Sequence, residues 1–271
     1  MTERLRQAGY KTDVKAIFAS PTLAALAATV EEDAAMIEIP ANRIPPGCRV
    51  ITPEMLPLVN LTAEEIDRIV SRAPGGAGNV QDVYPLTPLQ EGILFHHLMD
   101  GERDPYLQGM QLGFGRRERL DGYIRALQAV IDRHDILRTG VQWEGISEPV
   151  QVVYREARLP VEEVELDAGA GDVAEQLYAR FHPRRSRLDV RQAPLLRLYI
   201  AYDAAHERWL MMLLLHHLAI DHIAFEAMQS EVEMYLLGQE ALLPPPLPFR
   251  NLVVQAQIGR TSEEGEEYES A

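Results

Sequence analysis

The sequence predicts a domain of the mixed α/β (α+β) class, preceded by short helices and a proline-rich connector. Two observations support this prediction. From about Val83 onward, stretches with alternating or continuous apolar residues, typical of strands, are interspersed with stretches of helical apolar spacing. Upstream, helical spacing is interrupted between residues 35 and 60 by residues that exclude a continuous helix: Pro40, Pro45, Pro46, Gly47, Pro53 and Pro57.

The first 34 residues (1–34) are predicted to contain short helices. Asp13–Ala19 has apolar residues at helical spacing, and Ser20-Pro21 is typical of an N-cap followed by the first helical position. The second of these helices is expected to run to about Asp33. Helices of this size bury too little apolar surface to fold alone, so we interpret them as the end of a larger domain whose beginning is absent.

Residues 35–80 are predicted to be a connector. It contains one helix, which begins at a capping box in Thr62–Glu65 and ends before the glycine-rich segment Pro74–Gly78. We therefore place the main domain boundary near residue 80, with the mixed domain over residues 81–271.

Within residues 81–271, strands and helices are predicted to alternate. Thr87 and Pro88 are typical of an N-cap and a first helical position, so a loop leading into a helix is expected over Leu86–Met99. The other helices are expected at Leu120–Asp132, Val173–Phe181 and Ala224–Leu237. The strands are expected at Leu107–Phe114, Ile136–Trp143, Pro149–Tyr154, Leu195–Tyr202 and Trp209–Leu215. The last strand is apolar on both faces, which predicts a central strand buried on both sides.

The charge balance argues against a polyanionic partner. Lys and Arg number 26 and Asp and Glu 41, a net charge of −15, whereas binding to nucleic acid or an anionic membrane depends on Lys and Arg. One basic group is interpreted as a solvated helix end: Arg180, Arg184, Arg185, Arg187 and Arg191. Neither nucleic acid nor membrane is therefore expected as a partner.

The location is predicted to be cytoplasmic. The start of the chain has no apolar stretch typical of a secretory signal. The most apolar run, Trp209–Ile220, is shorter than the roughly 20 residues that span a bilayer. Cys48 is the only cysteine, so it cannot form an internal disulfide, which fits a reducing compartment.

A cluster of titratable residues directly follows the predicted central strand. It reads His216-His217-Leu218-Ala219-Ile220-Asp221-His222. Because successive strand residues point to opposite faces, one of the paired histidines should pack or hydrogen-bond inside while the other enters a cleft. Imidazole is mostly neutral at pH 7 and can accept a proton, and such a base typically contributes about 10²–10⁴-fold in rate.

Three other interpretations of this cluster compete with a catalytic base. The paired histidines could simply be buried groups that the backbone satisfies, or the cluster could bind a metal ion, although no familiar zinc spacing is present. Asp221 is interpreted as structural, because a carboxylate beside a buried strand needs a cation or several donors. Arg138 is its candidate partner.

Four segments, in order, resemble the condensation domains of non-ribosomal peptide synthetases. Tyr84–Phe95 (YPLTPLQEGILF) resembles the opening motif, and Arg133–Thr139 (RHDILRT) resembles the second motif, RHExLRT, with Asp for Glu. Leu188-Asp189 followed by Ala193–Arg197 resembles the segment before the central strand, and His216–His222 resembles the HHxxxDG active-site motif. A lone HHxxxD is weak evidence, whereas four motifs in series are specific.

The resemblance implies a fold and a reaction. The fold is one lobe of the chloramphenicol acetyltransferase type, with a mixed sheet flanked by helices. The reaction transfers an acyl or peptidyl group from the thioester of one carrier's phosphopantetheine arm to the amine of an aminoacyl group on the next carrier, which forms an amide bond. His217 would orient the amine or remove its proton, and His216 would be a packed neighbour. Asp221 would pair with an arginine of the second motif, for which Arg138 is the likeliest match.

The N-terminal residues resemble the last helices of a peptidyl carrier domain. The resemblance lies in Arg4–Tyr10, Ile17-Phe18 and Pro21–Ala27. The Gly-Gly-x-Ser serine that accepts a phosphopantetheine arm has no counterpart here. We therefore expect no covalently bound cofactor, and expect the chain to act on arms that partner carriers hold.

Two further departures from the family pattern bear on activity. His222 stands where Gly is usual, so either the loop has ordinary backbone or His222 lies near the channel and tunes it. The family's second lobe is missing, so the chain is expected to bear His217 but to be inactive alone. The expected partners are upstream and downstream peptidyl carrier domains, an adenylation domain and the second lobe, supplied in trans.

Other functions stay open at this point. An epimerisation-domain fragment shares the fold and the HHxxxDG motif. A non-catalytic lobe could dock carriers or complement a separately encoded second lobe. A small-molecule acetyltransferase shares the HxxxD core through His217 and Asp221, but leaves the carrier-like N-terminus unexplained.

Overall fold

The computed structural model describes residues 10–11, 31–32, 39–101 and 103–258. The chain divides into two compact units, Met1–Ile39 and Pro40–Ala271. In the first unit, β1 (Tyr10–Lys11) pairs antiparallel with β2 (Glu31–Glu32). The helix predicted to reach Asp33 therefore does not include residues 31–32, and the rest of the helices predicted for residues 1–34 lies outside the described residues.

The second unit holds strands and helices in alternation, as the sequence predicts. Its strands are β3 (Val80–Pro85), β4 (Leu107–Phe114), β5 (Thr139–Gln142), β6 (Val150–Tyr154), β7 (Val161–Glu163), β8 (Leu196–Asp203) and β9 (Arg208–His216). Its helices include α1 (Ala63–Arg72), α2 (Pro88–Met99), α3 (Arg117–Arg133), α4 (Val173–Arg180) and α5 (His222–Leu236), and residues 249–258 are also helical. Among the helices of the described part, none is both long and apolar enough to cross a bilayer.

One predicted strand is shorter than the sequence pattern indicates. The structure has a 3₁₀ turn at Asp135–Arg138 and begins β5 only at Thr139, whereas the apolar pattern extends the strand back to Ile136. The turn is closed locally, because the Leu137 amide donates to the His134 carbonyl at 3.2 Å. The backbone therefore turns sharply before it can join the sheet.

The helix starts follow from local polar side chains. Thr62 and Thr87 each form a complete capping box, with the side chain of the third helical residue returning a hydrogen bond to the backbone of the cap. In α2, Thr87 is followed by Pro88 at the first helical position. Asp172 and Asp221 cap α4 and α5 by accepting from backbone amides.

The described strands of the second unit form two separate sheets. β3, β6 and β5 make a three-stranded antiparallel sheet in that order. The other sheet has the order β4-β9-β8-β7, in which β9 pairs antiparallel with both β4 and β8, and β7 pairs parallel with β8. The strand β9 is therefore central in its sheet.

The side chains of β9 are buried on both faces, which confirms the prediction for this strand. Met211, Leu213 and Leu215 belong to the cluster that α3 and α5 cover. The alternate residues, Leu210, Met212 and Leu214, belong to the cluster that α4 covers. A fully buried side chain of this kind contributes about 1.5–3 kcal/mol to folding, so the strand is held firmly up to its last residues.

Residues 40–79 fall within the predicted connector, residues 35–80, and carry packed apolar side chains in the structure. This segment forms one hydrophobic cluster with β3 and β6 and lies in the same compact unit, so the structural boundary falls between residues 39 and 40. Its prolines prevent a long helix, but the segments between them carry apolar side chains that pack against β3 and β6. Those in the cluster are Ile44, Cys48, Ile51, Leu56, Leu61, Ile66, Ile69, Ala73 and Ala77.

A close backbone approach at Gly140 gives the first testable prediction. A Cβ at Gly140 would lie 2.5 Å from the Arg191 carbonyl oxygen. We expect Gly140→Ala to lower the free energy of unfolding by about 1–3 kcal/mol, because backbone cannot easily yield. A Cβ at Gly122, inside α3, would have its nearest contact at 3.7 Å. Gly122→Ala should therefore raise the free energy of unfolding by about 0.5–1 kcal/mol, because alanine favours a helix interior over glycine. Urea unfolding measures both, and equal effects would contradict the steric explanation.

A buried ion pair gives a second prediction, on pH. Burial raises the pKa of Asp82 to about 6, although Arg250 donates to its carboxylate at 2.8 Å and opposes the rise. Because the folded chain then holds this proton more tightly than the unfolded chain, the free energy of unfolding falls as the pH rises from about 4 to about 6, by about 3 kcal/mol at most.

Urea unfolding at several pH values between 4 and 7 measures this slope. Asp82→Asn should remove most of the fall, whereas Asp132→Asn, at an exposed position, should keep it. A wild-type slope in the Asp82→Asn variant would assign the pH dependence to other groups.

Candidate functional site

The paired histidines lie where β9 ends. His216 is the last residue of the strand, and α5 begins at His222. The His216 amide donates to the Leu195 carbonyl at 3.1 Å, and the His217 amide donates to the Tyr106 carbonyl at 2.9 Å. The chain leaving the strand is therefore tied to segments on both sides of it.

His216 is the inward-facing member of the pair. Its side chain is fully buried, and its Nε2 lies 2.9 Å from Oδ2 of Asp104. The other ring nitrogen, Nδ1, accepts from the backbone amide of Leu218 at 3.1 Å. Since Nδ1 is an acceptor, Nε2 carries the proton and donates it to the carboxylate.

His217 faces the other way and is partly exposed. This division is the one that strand alternation predicts. The ring of Tyr106 stands edge-on to the His217 ring, with 6.4 Å between centroids. Within the described residues neither ring nitrogen of His217 has a hydrogen-bond partner.

A second histidine, His97 of α2, contacts the same carboxylate. Its Nδ1 lies 2.8 Å from Oδ2 of Asp104, and both side chains are almost completely buried. Oδ1 of Asp104 accepts from the backbone amide of Tyr106 at 3.1 Å. Asp104 therefore receives hydrogen bonds on both oxygens.

The electrostatics of this cluster favour an ionised Asp104 carboxylate beside a neutral His216 ring. Burial alone would raise the pKa of Asp104, but the hydrogen bonds from His216 and His97 outweigh it and hold that pKa well below its ordinary value. Burial lowers the pKa of His216, against the attraction of Asp104. At neutral pH Asp104 is charged and His216 is neutral.

Sequence reasoning did not find His97 or Asp104. A signal for His97 was present, because it lies one helical turn after Ile93 and Leu94 on the buried face of α2. A histidine on an apolar helix face needs a partner. For Asp104 no spacing rule points to a position so far along the chain from His216.

Arginine 187 holds the segment that carries these residues. Its guanidinium donates to the carbonyl of His97 at 2.5 Å, to that of Arg103 at 3.4 Å and to that of Asp100. A cation is favourable at the C-terminal end of a helix such as α2. Arg187 is therefore an anchor for this helix end as well as part of a solvated basic group.

The opposite side of the loop is held by a buried glutamine from the opening motif. Nε2 of Gln90 donates to the carbonyl of Leu218 at 2.9 Å and contacts Oε1 of Gln151 at the same distance. Gln151 in turn donates to the carbonyl of Pro85 at 3.0 Å. The residue that follows His217 is thus fixed by α2 and β6.

The predicted pair of Asp221 with Arg138 is wrong. Arg138 lies in the turn before β5, and its guanidinium donates to Oε1 of Gln81 at 2.9 Å and to the carbonyls of Tyr154 and Arg155. Asp221 is exposed and caps α5, where it accepts from the Ala224 amide at 2.7 Å. Among the described residues the hydrogen bonds of each group therefore go to other partners, and neither contacts the other.

His222 is the first residue of α5 and has helical backbone. Its side chain is 80% exposed, and its Nε2 lies 3.4 Å from Glu226 one turn later. The backbone at this position therefore does not need the conformational freedom of glycine.

The metal alternative involves only one residue of the HHxxxD segment, His216. Among the described residues, His97, Asp104 and His216 bring three possible ligand atoms within 4.8 Å of one another. His217, Asp221 and His222 do not belong to this group. The three buried residues already satisfy one another by hydrogen bonds.

Comparison with known proteins places the chain in a family. The family model described as Condensation domain matches residues 80–270. The chain is 49% identical over 268 residues to malpibaldin synthetase of Mortierella alpina, a match that covers 99% of this chain and 5% of that protein. It is 47% identical over 265 residues to malpinin synthetase of the same organism, covering 98% of this chain and 3% of that protein.

Solved structures agree on the fold. The cyclization-docking bidomain of EpoB from Sorangium cellulosum superposes with a TM-score of 0.54 at 16% identity, covering 69% of this chain and 37% of that one. The fold is thus the chloramphenicol acetyltransferase-like one that the sequence predicts. The chain belongs to the condensation domain family, whose members in peptide synthetases work with carrier and adenylation domains. It spans only a small fraction of the length of the synthetases that it matches.

The glutamine contacts give a third prediction. Removing either Gln90 or Gln151 takes one buried hydrogen-bond partner from the amide group of the other, which costs about 1–3 kcal/mol. We expect Gln90→Met and Gln151→Met each to destabilise the chain, and the double variant to lose less than the sum, with a coupling of about 0.5–3 kcal/mol. Urea unfolding of the four proteins measures this coupling, and strict additivity would mean that the two side chains act independently.

Proposed function

We propose that this chain contributes His217 to amide-bond formation between two carrier-bound groups. The donor is an acyl or peptidyl thioester on one phosphopantetheine arm, and the acceptor is the amine of an aminoacyl thioester on another. The observation that carries the proposal is the placement of His217, whose partly exposed ring stands at the end of a strand buried on both faces.

The chemistry follows from an imidazole whose backbone is held by hydrogen bonds on both sides. The acceptor amine attacks the donor carbonyl, so that a C–N bond forms and the tetrahedral centre carries the negative charge. His217 orients the amine and accepts its proton. The C–S bond then breaks, the proton passes to the departing thiolate, and the peptide is one residue longer.

The carriers are the partners that this reaction requires. Condensation domains of peptide synthetases act on substrates tethered to the phosphopantetheine of carrier domains. We infer that upstream and downstream carriers deliver the two arms to His217, and that an adenylation domain loads the acceptor. Residues 1–34 are proposed to be the end of a carrier domain.

The reaction is proposed to need a second lobe that covers the open side of the site. Large apolar side chains are exposed on the two helices that flank the loop, which favours a covering partner. They are Leu89, Phe95, Leu98 and Met99 on α2, and Ile223 and Leu236 on α5. We expect the isolated chain to form no dipeptide, and a complementary second lobe supplied in trans to restore the reaction.

The fourth prediction tests His217 directly. Loaded donor and acceptor carriers, the chain and a complementary lobe are incubated, and the dipeptidyl carrier is detected by mass spectrometry. His217→Ala should lower the rate by about 10²–10⁴-fold, the usual contribution of a general base.

His222→Ala is the matched control, since it removes an exposed histidine of the same segment, and it should keep most of the activity. Equal rates for His217→Ala and the wild type would exclude His217 as the base. Solvent deuterium appearing at the Cα of a carrier-bound residue, without amide formation, would assign the site to epimerisation instead.

A further inference from the structure

We propose that Asp104 is the positioning residue of this site, which sets the place of His217 through contacts on both sides of it. The inference rests on the proposed function of His217 and goes beyond it, because Asp104 lies outside every segment that resembles a family motif. Three independent contacts meet at its carboxylate.

The first route from Asp104 to His217 runs through its neighbour in sequence. The His216 ring donates to Oδ2 of Asp104 and accepts from the Leu218 amide. The His216 ring therefore holds the backbone on either side of His217, and its hydrogen bond to Asp104 fixes the ring itself.

The second route runs through Tyr106. Oδ1 of Asp104 accepts from the Tyr106 amide at 3.1 Å, which fixes a tight turn. The carbonyl of Tyr106 then accepts from the His217 amide at 2.9 Å, and the Tyr106 ring packs edge-on to the His217 ring. The positions of both the backbone and the ring of His217 thus depend on where this turn places Tyr106.

His97 completes the arrangement by fixing the carboxylate itself. It donates to the same oxygen as His216 from the opposite element, and its ring stands edge-on to the His216 ring at 5.4 Å. A carboxylate accepts on both oxygens, whereas an amide accepts on only one. Asparagine at this position would therefore leave at least one of the three donors facing an NH₂ group.

The geometry also argues against a metal ion at these three side chains. A histidine that binds a metal through Nε2 carries its proton on Nδ1 and donates it. Here Nδ1 of His216 faces the amide of Leu218, which is itself a donor. The proton is therefore on Nε2, the atom that a metal would need.

Nuclear magnetic resonance of the full chain, labelled with ¹⁵N in its histidines and backbone, tests the proposal without any activity. In the wild type we expect the His216 ring to carry its proton on Nε2 and the His217 amide to exchange slowly with solvent. In Asp104→Asn, exchange at the His217 amide should rise by roughly tenfold or more, and the His217 ring signals should shift.

Asp203→Asn is the matched control. Asp203 is also a buried carboxylate, bound to His206 and Arg208 at 2.9 Å, but it lies at the other end of β8 and β9. This variant should lose stability without altering His217. Unchanged His217 signals in Asp104→Asn would overturn the proposal.

The wild-type spectrum alone is decisive if Asp104→Asn does not fold. A His216 proton on Nδ1, rapid exchange at the His217 amide, or stoichiometric metal in the purified chain would each overturn the hydrogen-bonded arrangement. With the carrier assay in hand, Asp104→Asn should lower kcat by about 10- to 100-fold and leave KM little changed. An inactive wild type in that assay would count against the proposed function, whereas the spectra would still decide the role of Asp104.

Discussion

A strand buried on both faces must find a partner for each of its side chains, and this constraint on β9 determines the site. Along most of the strand the partners are apolar helices on either side. At the last residue the side chain is an imidazole, which can be buried because its Nε2–H donates a hydrogen bond to the Asp104 carboxylate. Once His216 is fixed inward, the alternation of the strand sends His217 outward. The orientation of His217 is therefore a consequence of packing as much as of the residue itself.

The part of the fold that could be predicted from the sequence is the part that local rules govern. The helix starts at Thr62 and Thr87, the central strand and the opposite orientations of the paired histidines all follow from caps, turns and periodicity. The buried network was not predictable in this way. Asp104 is 112 residues before His216 in the chain, and only the pairing of β4 with β9 brings the two together.

The predicted pair of Arg138 with Asp221 failed for a related reason, because it joins residues far apart in the chain. Both side chains carry charges that need partners, and a pairing between opposite charges is the simplest expectation from sequence. Each instead binds other polar groups: Arg138 donates mainly to backbone carbonyls, and Asp221 accepts from the Ala224 amide in the first turn of α5. Electrostatic matching between distant residues is weak evidence when local hydrogen bonds can serve each group.

The apolar side chains between residues 40 and 79 bear on how such proteins could be recombined. They build one wall of the cluster that also holds Val80, Val83, Val150 and Val152. A junction made at residue 80, where the family match begins, would remove these side chains and expose the valines to solvent. When such a domain is exchanged between synthetases, the junction should instead lie before Pro40, so that the sheet keeps the segment that covers its apolar face.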